Sequence, residues 1–122
     1  MKKYLTLSDI TAYSKAITLN SIIWNIVLKW DIFTKRTVGE QLVKSADSIG
    51  ANIAEGFGRY FKNDKIRFYY YARGSILETE YWIERAYERQ LLQEEAYEKI
   101  KHLLSNLPKN INAFIKITRQ KL

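Results

Sequence analysis

The composition of this 122-residue chain excludes several classes of protein. It has no cysteine, which excludes disulfides, thiol catalysis and cysteine-bound metals, and its 47% hydrophobic content is too high for a disordered chain. Its formal net charge of +7 favours acidic partners, with nucleic acid first and an anionic membrane second. Its most apolar stretch, IIWNIVLKW, is much shorter than the roughly 20 residues of a membrane span. We expect a single cytoplasmic domain, residues 1–122, without a cofactor, a metal or a membrane attachment.

Apolar residues recur at helical spacing along four segments, and no segment alternates as a half-buried strand does. The pattern predicts helices over about 9–30, 38–58, 64–91 and 94–120. Pro108 should kink or interrupt the last of them, because proline lacks the amide hydrogen of an interior helical position. Short connections between long helices favour antiparallel neighbours. We therefore predict an all-α, antiparallel up-down-up-down four-helix bundle.

The first predicted helix is apolar around most of its circumference. One line of apolar side chains includes Ile17, Trp24 and Leu28, and a second includes Leu19 and Ile23. Only a narrow polar stripe remains, so this helix should bury more than the usual single face.

The second predicted helix has two parallel stripes. Leu42, Ala46, Ile49 and Ile53 form an apolar stripe, and beside it runs a polar stripe of Gln41, Ser45, Ser48, Asn52 and Glu55. Two interpretations remain open. The polar stripe faces solvent, or it forms a partly buried network within or between subunits, in which each unpaired group would cost about 1–3 kcal/mol. In such a network Glu55 would pair with Arg67 or Arg73 of the third helix.

The third predicted helix carries Gly74 and Ser75 at its middle, where glycine costs about 1 kcal/mol relative to alanine. Close helix contact is the usual reason for accepting that cost. The aromatic residues of FYYYARGSILETEYW point in nearly every direction, more than one small interior can hold. We therefore predict a homo-oligomer, and we include Arg73, Gly74, Ser75 and Glu78 with the polar stripe as candidates for its network or subunit contact.

The segments QLVKSADSIGANIAEGFGR (41–59) and FYYYARGSILETEYW (68–82) resemble proteins encoded in intervening sequences of bacterial 23S ribosomal RNA genes, often labelled ribosomal-protein-like. The resemblance covers essentially the whole chain. It implies a four-helix bundle that assembles into a ring-shaped homopentamer, without established catalytic residues. Lys44 stands where the motif usually has arginine, and lysine would weaken any bidentate contact there.

A similar bundle and ring occur in the accessory variability proteins of diversity-generating retroelements. Those proteins are basic, bind nucleic acid and act with a reverse transcriptase. This likeness implies RNA or DNA as a ligand and a nucleoprotein or a reverse-transcriptase-type enzyme as a partner.

The predicted topology gathers basic residues at one end of the bundle, where the N-terminus, the second loop and the C-terminus meet. These candidates for binding nucleic acid are Lys2, Lys3, Arg59, Lys62, Lys65, Arg67, Lys116, Arg119 and Lys121. Tyr4, Tyr60 and Phe61 lie among them and offer surfaces for base stacking, although Tyr4 lies outside the residues that the structure describes. The alternatives are that the cations only offset the partial negative charge of helix C-termini, or that they meet an anionic membrane.

The sequence predicts no catalytic or metal site. Glu98 and His102 share a helical face, but a metal needs further ligands. Asn52, Glu55 and Arg73 would form a catalytic cluster only if they lined a cleft. We predict a non-enzymatic scaffold that binds nucleic acid with little sequence specificity. The alternative is a platform for a partner enzyme that does not itself bind nucleic acid.

Overall fold

Four helices account for most of residues 5–120, the part of the chain that a computed structural model describes. A short 3-10 turn, Leu7–Asp9, precedes helix α1, Thr11–Val27. Helix α2 covers residues 32–57 and consists of Ile32–Thr34, a π-helical turn Lys35–Gly39, and Glu40–Phe57. Helices α3 and α4 are Lys62–Glu88 and Glu94–Gln120. No strand occurs between residues 5 and 120, and the predicted all-α four-helix bundle is confirmed.

The connection between α1 and α2 differs from the prediction. Helix α1 ends at Val27 rather than near residue 30, and α2 begins at Ile32 rather than near residue 38. The early start has a local cause, because the Asp31 side chain accepts a hydrogen bond of 2.8 Å from the backbone amide of Thr34 and so caps the helix. That hydrogen bond also lowers the pKa of Asp31 below its ordinary value.

The π-helical turn coincides with a close approach of α2 to α1. A Cβ atom on Gly39 would lie 2.8 Å from Val27 Cγ1 and 3.2 Å from the Thr34 carbonyl oxygen. Only glycine fits this contact without a shift of its neighbours.

Helix α4 continues through Pro108, so of the two predicted outcomes, a kink or an interruption, the interruption is wrong. Proline removes one amide donor, but the residues on both sides are held in the core. Leu104, Leu107 and Ile111 are each at most 1% exposed. Their burial stabilises the helix on both sides of the missing hydrogen bond.

Each helix contributes one stripe to the core. In α2 the predicted stripe of Leu42, Ala46, Ile49 and Ile53 is buried. In α1 the buried stripe includes Ala16, Leu19 and Ile23, whereas Ile17, Trp24 and Leu28 stay exposed. Within one chain α1 therefore buries a single face, not the wider arc that its sequence predicts.

The packing order of the helices fixes which outer faces are neighbours. Helix α2 packs between α1 and α3, and α4 closes the square against the same two helices. Helices α1 and α3 therefore occupy diagonally opposite corners, and their outer faces point in different directions.

Candidate functional site

The second loop and the end of α4 meet at one end of the bundle. The Lys62 ammonium donates a hydrogen bond of 3.3 Å to the Arg119 carbonyl, and the Arg119 guanidinium donates one of 3.2 Å to the Tyr70 hydroxyl. We call this region the basic end and define it by Arg59, Lys62, Lys65, Arg67, Lys116 and Arg119. Three other predicted candidates, Lys2, Lys3 and Lys121, lie outside the described residues.

Two lysines of the basic end donate hydrogen bonds to backbone carbonyls at helix C-termini. Lys65 donates a hydrogen bond of 2.8 Å to the carbonyl of Phe57, the last residue of α2. Lys62 does the same for a carbonyl in the last turn of α4. Part of the positive charge therefore offsets the helix dipoles, as the alternative interpretation of the sequence anticipated.

Two arginines of the basic end form exposed ion pairs within their own helical segments. Arg59 Nε lies 3.4 Å from Glu55, and an Arg67 nitrogen lies 3.0 Å from Asp64. Within one chain Glu55 pairs with Arg59, one turn later, and not with the predicted Arg67 or Arg73. Exposed pairs of this kind contribute about 0–1 kcal/mol, so a phosphate group can replace the carboxylate at little cost. Lys116 is exposed and has neither a hydrogen bond nor an ion pair with the described part of the chain.

Two aromatic side chains project from the same loop. Tyr60 is 87% exposed and Phe61 is 65% exposed, and their rings meet edge to face with centroids 4.9 Å apart. Beside them the Arg59 guanidinium lies 4.7 Å from the centre of the Phe68 ring. The basic end thus combines cations with exposed aromatic faces, the two side-chain types that single-stranded nucleic acid contacts.

A cavity of about 610 Å³ opens at the basic end. Its apolar wall consists of Leu5, Phe57, Tyr60, Phe61, Phe114 and Ile117. Lys62, Lys65, Tyr69 and Thr118 add polar atoms to the lining. Its volume falls within the range of roughly 300–1,000 Å³ that small-molecule sites occupy.

Tyr69 is the most deeply buried polar residue that lines this cavity. It is 1% exposed, and burial raises the pKa of its hydroxyl to about 12. The hydroxyl has no protein hydrogen-bond partner among residues 5–120, and because it is not one of the fully buried unpaired atoms there, it is open to the cavity. Sequence reasoning missed both the cavity and this role. The available signal was the position of Tyr69 in the core stripe of α3, three residues after Ile66 and three before Ala72.

The polar stripe of α2 does not form a network inside the chain. Ser45, Ser48 and Asn52 each donate to a backbone carbonyl of their own helix, with distances of 3.0, 2.8 and 2.9 Å. Gln41 and Glu55 are exposed. The stripe is therefore satisfied locally, and the version of the network hypothesis that links helices within one subunit is wrong.

The candidates on α3 are likewise unconnected to α2. Ser75 donates to the Tyr71 carbonyl at 3.2 Å, and the Arg73 guanidinium lies 5.4 Å from the centre of the Tyr70 ring. Glu78 is exposed, and a Cβ on Gly74 would meet no atom within 4 Å. Gly74 therefore accommodates no close contact within the chain. Arg73 lines a shallow groove between α3 and α4 that Glu55 does not reach, so the catalytic cluster weighed from the sequence is not assembled.

Large apolar side chains remain exposed on the outer faces of α1 and α3. On α1 and directly after it they are Ile17, Trp24 and Leu28, and Ile32 and Phe33 follow in the first turn of α2. On α3 they are Tyr70, Tyr71, Leu77 and Tyr81, with Leu77 68% exposed. These two apolar faces lie at diagonal corners of the bundle.

The opposite end, around the α3–α4 turn, has a different character. The Glu84 carboxylate accepts a hydrogen bond of 2.6 Å from the Tyr97 hydroxyl and one of 2.9 Å from Lys101. The Tyr97 hydrogen bond, supported by Lys101, lowers the pKa of Glu84, and Glu84 in turn raises the pKa of Tyr97 to about 12. The Tyr87 ring stacks on Tyr97 with centroids 3.7 Å apart. We call this set, Glu84, Tyr87, Tyr97 and Lys101, the closed end.

No group of three or more side chains able to hold a metal ion occurs within residues 5–120. Among the described helices, none combines the length and apolar character that crossing a membrane requires.

The chain matches a family model and a solved structure. The family model described as "23S rRNA-intervening sequence protein" matches residues 8–113. A 1.70 Å crystal structure from Bacteroides thetaiotaomicron VPI-5482, described as a protein with unknown function from the S23 ribosomal protein family, superposes with a TM-score of 0.76. The two chains are 26% identical, and the alignment covers 87% of this chain and 99% of that one. No curated protein matches the chain.

Proposed function

Because the chain belongs to the 23S rRNA-intervening sequence protein family, we propose that it is a basic, non-enzymatic scaffold that forms a ring, with five copies as the family resemblance implies. The ring binds RNA or DNA with little sequence specificity in the cytoplasm. The observation that carries the proposal is the basic end, where cations surround the exposed rings of Tyr60 and Phe61.

Phosphate binding is supported by the contacts of the cations. Lys116 has no carboxylate partner within residues 5–120, and the partners of Arg59 and Arg67 are exposed carboxylates that a phosphate can displace. Lysine and arginine contacts to phosphates provide affinity without reading the bases. Low sequence specificity follows from this kind of contact.

Ring formation is supported by the position of the two apolar faces. Because they lie at diagonal corners, the α1 face of one copy can pack on the α3 face of the next. A contact between two different faces of identical copies repeats around an axis and closes into a ring when the rotation permits. Such a ring would present the basic ends side by side.

Gly74 supports the same contact. Glycine within a helix costs about 1 kcal/mol relative to alanine, and within residues 5–120 no atom beyond its own chain neighbours and helix backbone lies within 4 Å of a Cβ placed there. Beside it Leu77 is 68% exposed. A close approach by the neighbouring copy would use the space above Gly74 and cover Leu77.

A second candidate function is a platform for a protein partner, such as a nucleoprotein or a reverse-transcriptase-type enzyme, without direct contact to nucleic acid. The exposed apolar side chains favour it, since apolar patches of this kind also mark contacts between different proteins. The two functions differ in whether the isolated protein binds RNA.

The nucleic-acid proposal is tested by a matched pair of charge reversals on α4. Lys116→Glu changes the basic end, and Lys99→Glu makes the same change on an exposed residue of the same helix, about 25 Å away at 1.5 Å per residue. Fluorescence anisotropy with a short labelled RNA should show about tenfold weaker binding for Lys116→Glu and little change for Lys99→Glu. Equal losses in both variants, or no binding by the wild type, would contradict the proposal.

The ring is tested by light scattering coupled to size exclusion. The wild type should elute at a multiple of the 14.4 kDa chain mass, and Leu77→Arg should shift it to the single-chain mass. Ala113→Arg adds the same charge at an exposed position of α4, on the opposite side of that helix from the buried Ile111 and Ile115, and should leave the mass unchanged. A wild-type protein that stays at the single-chain mass at high concentration would rule out the ring.

A further inference from the structure

The cavity at the basic end has the shape and lining of a binding site for a flat, aromatic group. The rings of Tyr69 and Phe114 lie with centroids 5.0 Å apart and form part of its wall. At the rim, Tyr60 and Phe61 are held edge to face and largely exposed. Aromatic surfaces on wall and rim suit a planar heterocycle, because a base stacked on a protein ring contributes about 1–3 kcal/mol.

A polar group of the wall lacks a partner. Tyr69 is 1% exposed, yet its hydroxyl makes no hydrogen bond with any of residues 5–120. The hydroxyl is not among the fully buried unpaired atoms of the described chain, so it is open to the cavity, where a ligand atom can take the place of water. A ligand carrying a hydrogen-bonding edge would satisfy this hydroxyl.

Two lysines of the lining point to a negative charge beside that group. Lys62 and Lys65 each hydrogen-bond to a backbone carbonyl, and neither forms an ion pair with a carboxylate of the described chain. An ammonium group has three donors, so both lysines can bind an additional anion. Burial lowers the pKa of Lys65, and an incoming anion would relieve this cost.

We propose that the cavity receives one unstacked base of a single-stranded nucleic acid, with the base edge at the Tyr69 hydroxyl and an adjacent phosphate on Lys62 and Lys65. This inference rests on the proposed function and narrows its substrate from nucleic acid in general to single strands. A duplex keeps its bases stacked and paired, so it reaches the outer cations but does not place a base in the cavity.

The test uses two tyrosine variants of the full chain. Tyr69→Phe removes only the unpartnered hydroxyl, and Tyr71→Phe makes the same change on an exposed residue two positions away. Anisotropy titrations with a labelled oligouridine and with a duplex of equal length measure each affinity. The wild type should prefer the single strand, and Tyr69→Phe should lower that affinity roughly threefold to tenfold. Duplex affinity and Tm should stay unchanged, and Tyr71→Phe should behave as the wild type.

A second variant blocks the cavity from its rim. Ile117 lines the cavity and is 45% exposed, so Ile117→Trp can fill the opening without disturbing the core. It should reduce single-strand affinity to that for the duplex.

Several results would overturn the inference. Two results would exclude the cavity as a binding site for a base and leave the proposed function intact. One is equal affinity for single strand and duplex, and the other is a Tyr69→Phe variant that binds as Tyr71→Phe does. Uridine monophosphate binding as tightly as the strand would assign the cavity to a free nucleotide instead. If deletion of residues 1–4 lowered Tm and none of the variants changed binding, the start of the chain would be the occupant. A wild type that binds no nucleic acid would overturn both proposals.

Discussion

At the closed end, Tyr97 donates its hydroxyl to Glu84 and Lys101 pairs with the same carboxylate, whereas at the basic end Tyr69 and Lys65 have no such acceptor. Both ends place a tyrosine, a lysine and a second aromatic ring close together. At the closed end these groups satisfy one another. At the basic end they line a cavity.

This difference indicates which end is built for stability and which for binding. A satisfied cluster has little to gain from a ligand, because the ligand would have to replace bonds already made. A hydroxyl without a protein partner that is open to a cavity, and a lysine without a carboxylate, gain from a ligand that supplies an acceptor and a negative charge. Single substitutions at either end test this difference.

The largest expected effect is at Gly56, which allows Tyr69 to pack against α2. A Cβ there would lie 2.6 Å from Tyr69 Cε1 and 2.8 Å from the Lys65 carbonyl oxygen. Gly56→Ala should therefore lower the free energy of unfolding by about 1–3 kcal/mol through overpacking, as measured by urea denaturation. It should also displace Tyr69 and weaken single-strand binding.

Gly58→Ala is the matched control for that change. Its added methyl would make ordinary contacts, 3.6 Å from the Glu55 carbonyl oxygen and 3.7 Å from that of Ala54. We expect stability to change little or to rise slightly, because alanine restricts the unfolded chain more than glycine does. Similar losses in both variants would contradict the account of Gly56.

The next effect comes from replacing a tyrosine with phenylalanine at each end of the bundle. Tyr97→Phe removes a hydrogen bond to a carboxylate and should lower the free energy of unfolding by about 1 kcal/mol. Tyr69→Phe removes a hydroxyl without a partner and should leave stability unchanged or raise it slightly. Thermal denaturation monitored by circular dichroism measures both. If Tyr69→Phe were the more destabilising of the two, its hydroxyl would have a partner and the comparison would fail.

The smallest effect is a dependence on pH at the closed end. The Tyr97 hydrogen bond and Lys101 lower the pKa of Glu84 from its ordinary 4.5. The folded state therefore gains stability above pH 4.5, and this gain is lost as pH falls through the lowered pKa. Because the group is partly exposed, the gain is below about 1 kcal/mol.

Glu84→Gln should therefore have a lower Tm than the wild type at neutral pH, and the difference should shrink below pH 4.5. Glu95→Gln, which removes an exposed carboxylate without a hydrogen bond inside residues 5–120, is the control. A difference that persists into strong acid would show that Glu84 contributes by packing rather than by charge.

The helices and their core stripes could be predicted from the sequence, because burial of one face imposes a period that each helix displays. Leu42, Ala46, Ile49 and Ile53 show it most clearly. The prediction of a kink or an interruption at Pro108 was wrong about the interruption, because α4 continues through this residue. Buried core residues on both sides of Pro108 stabilise the helix, an effect of tertiary packing that the local preference of proline does not include.

The site was less predictable for a related reason. The positions of charged residues in the sequence do not determine which arginine a given carboxylate contacts. The sequence predicts a partner for Glu55 on α3, but in the structure Arg59 Nε lies 3.4 Å from the Glu55 carboxylate. The serine and asparagine side chains of α2 fit a hydrogen-bond network between helices equally well in the sequence. In the structure Ser48 and Asn52 each donate to a backbone carbonyl in the preceding turn of their own helix. The cavity lies where the segment at Leu5, the loop between α2 and α3, and the end of α4 meet. The spacing of apolar residues along one helix does not determine how such segments meet.

The salt dependence of RNA affinity shows whether the basic end binds phosphates. If the basic end binds phosphates, the logarithm of the association constant should fall linearly with the logarithm of salt concentration, with a slope of about −0.7 per phosphate contact on single strands. The slope should be the same for unrelated RNA sequences, and Lys116→Glu should make it shallower. An affinity that does not change with salt, or a slope that Lys116→Glu leaves unaltered, would contradict the account.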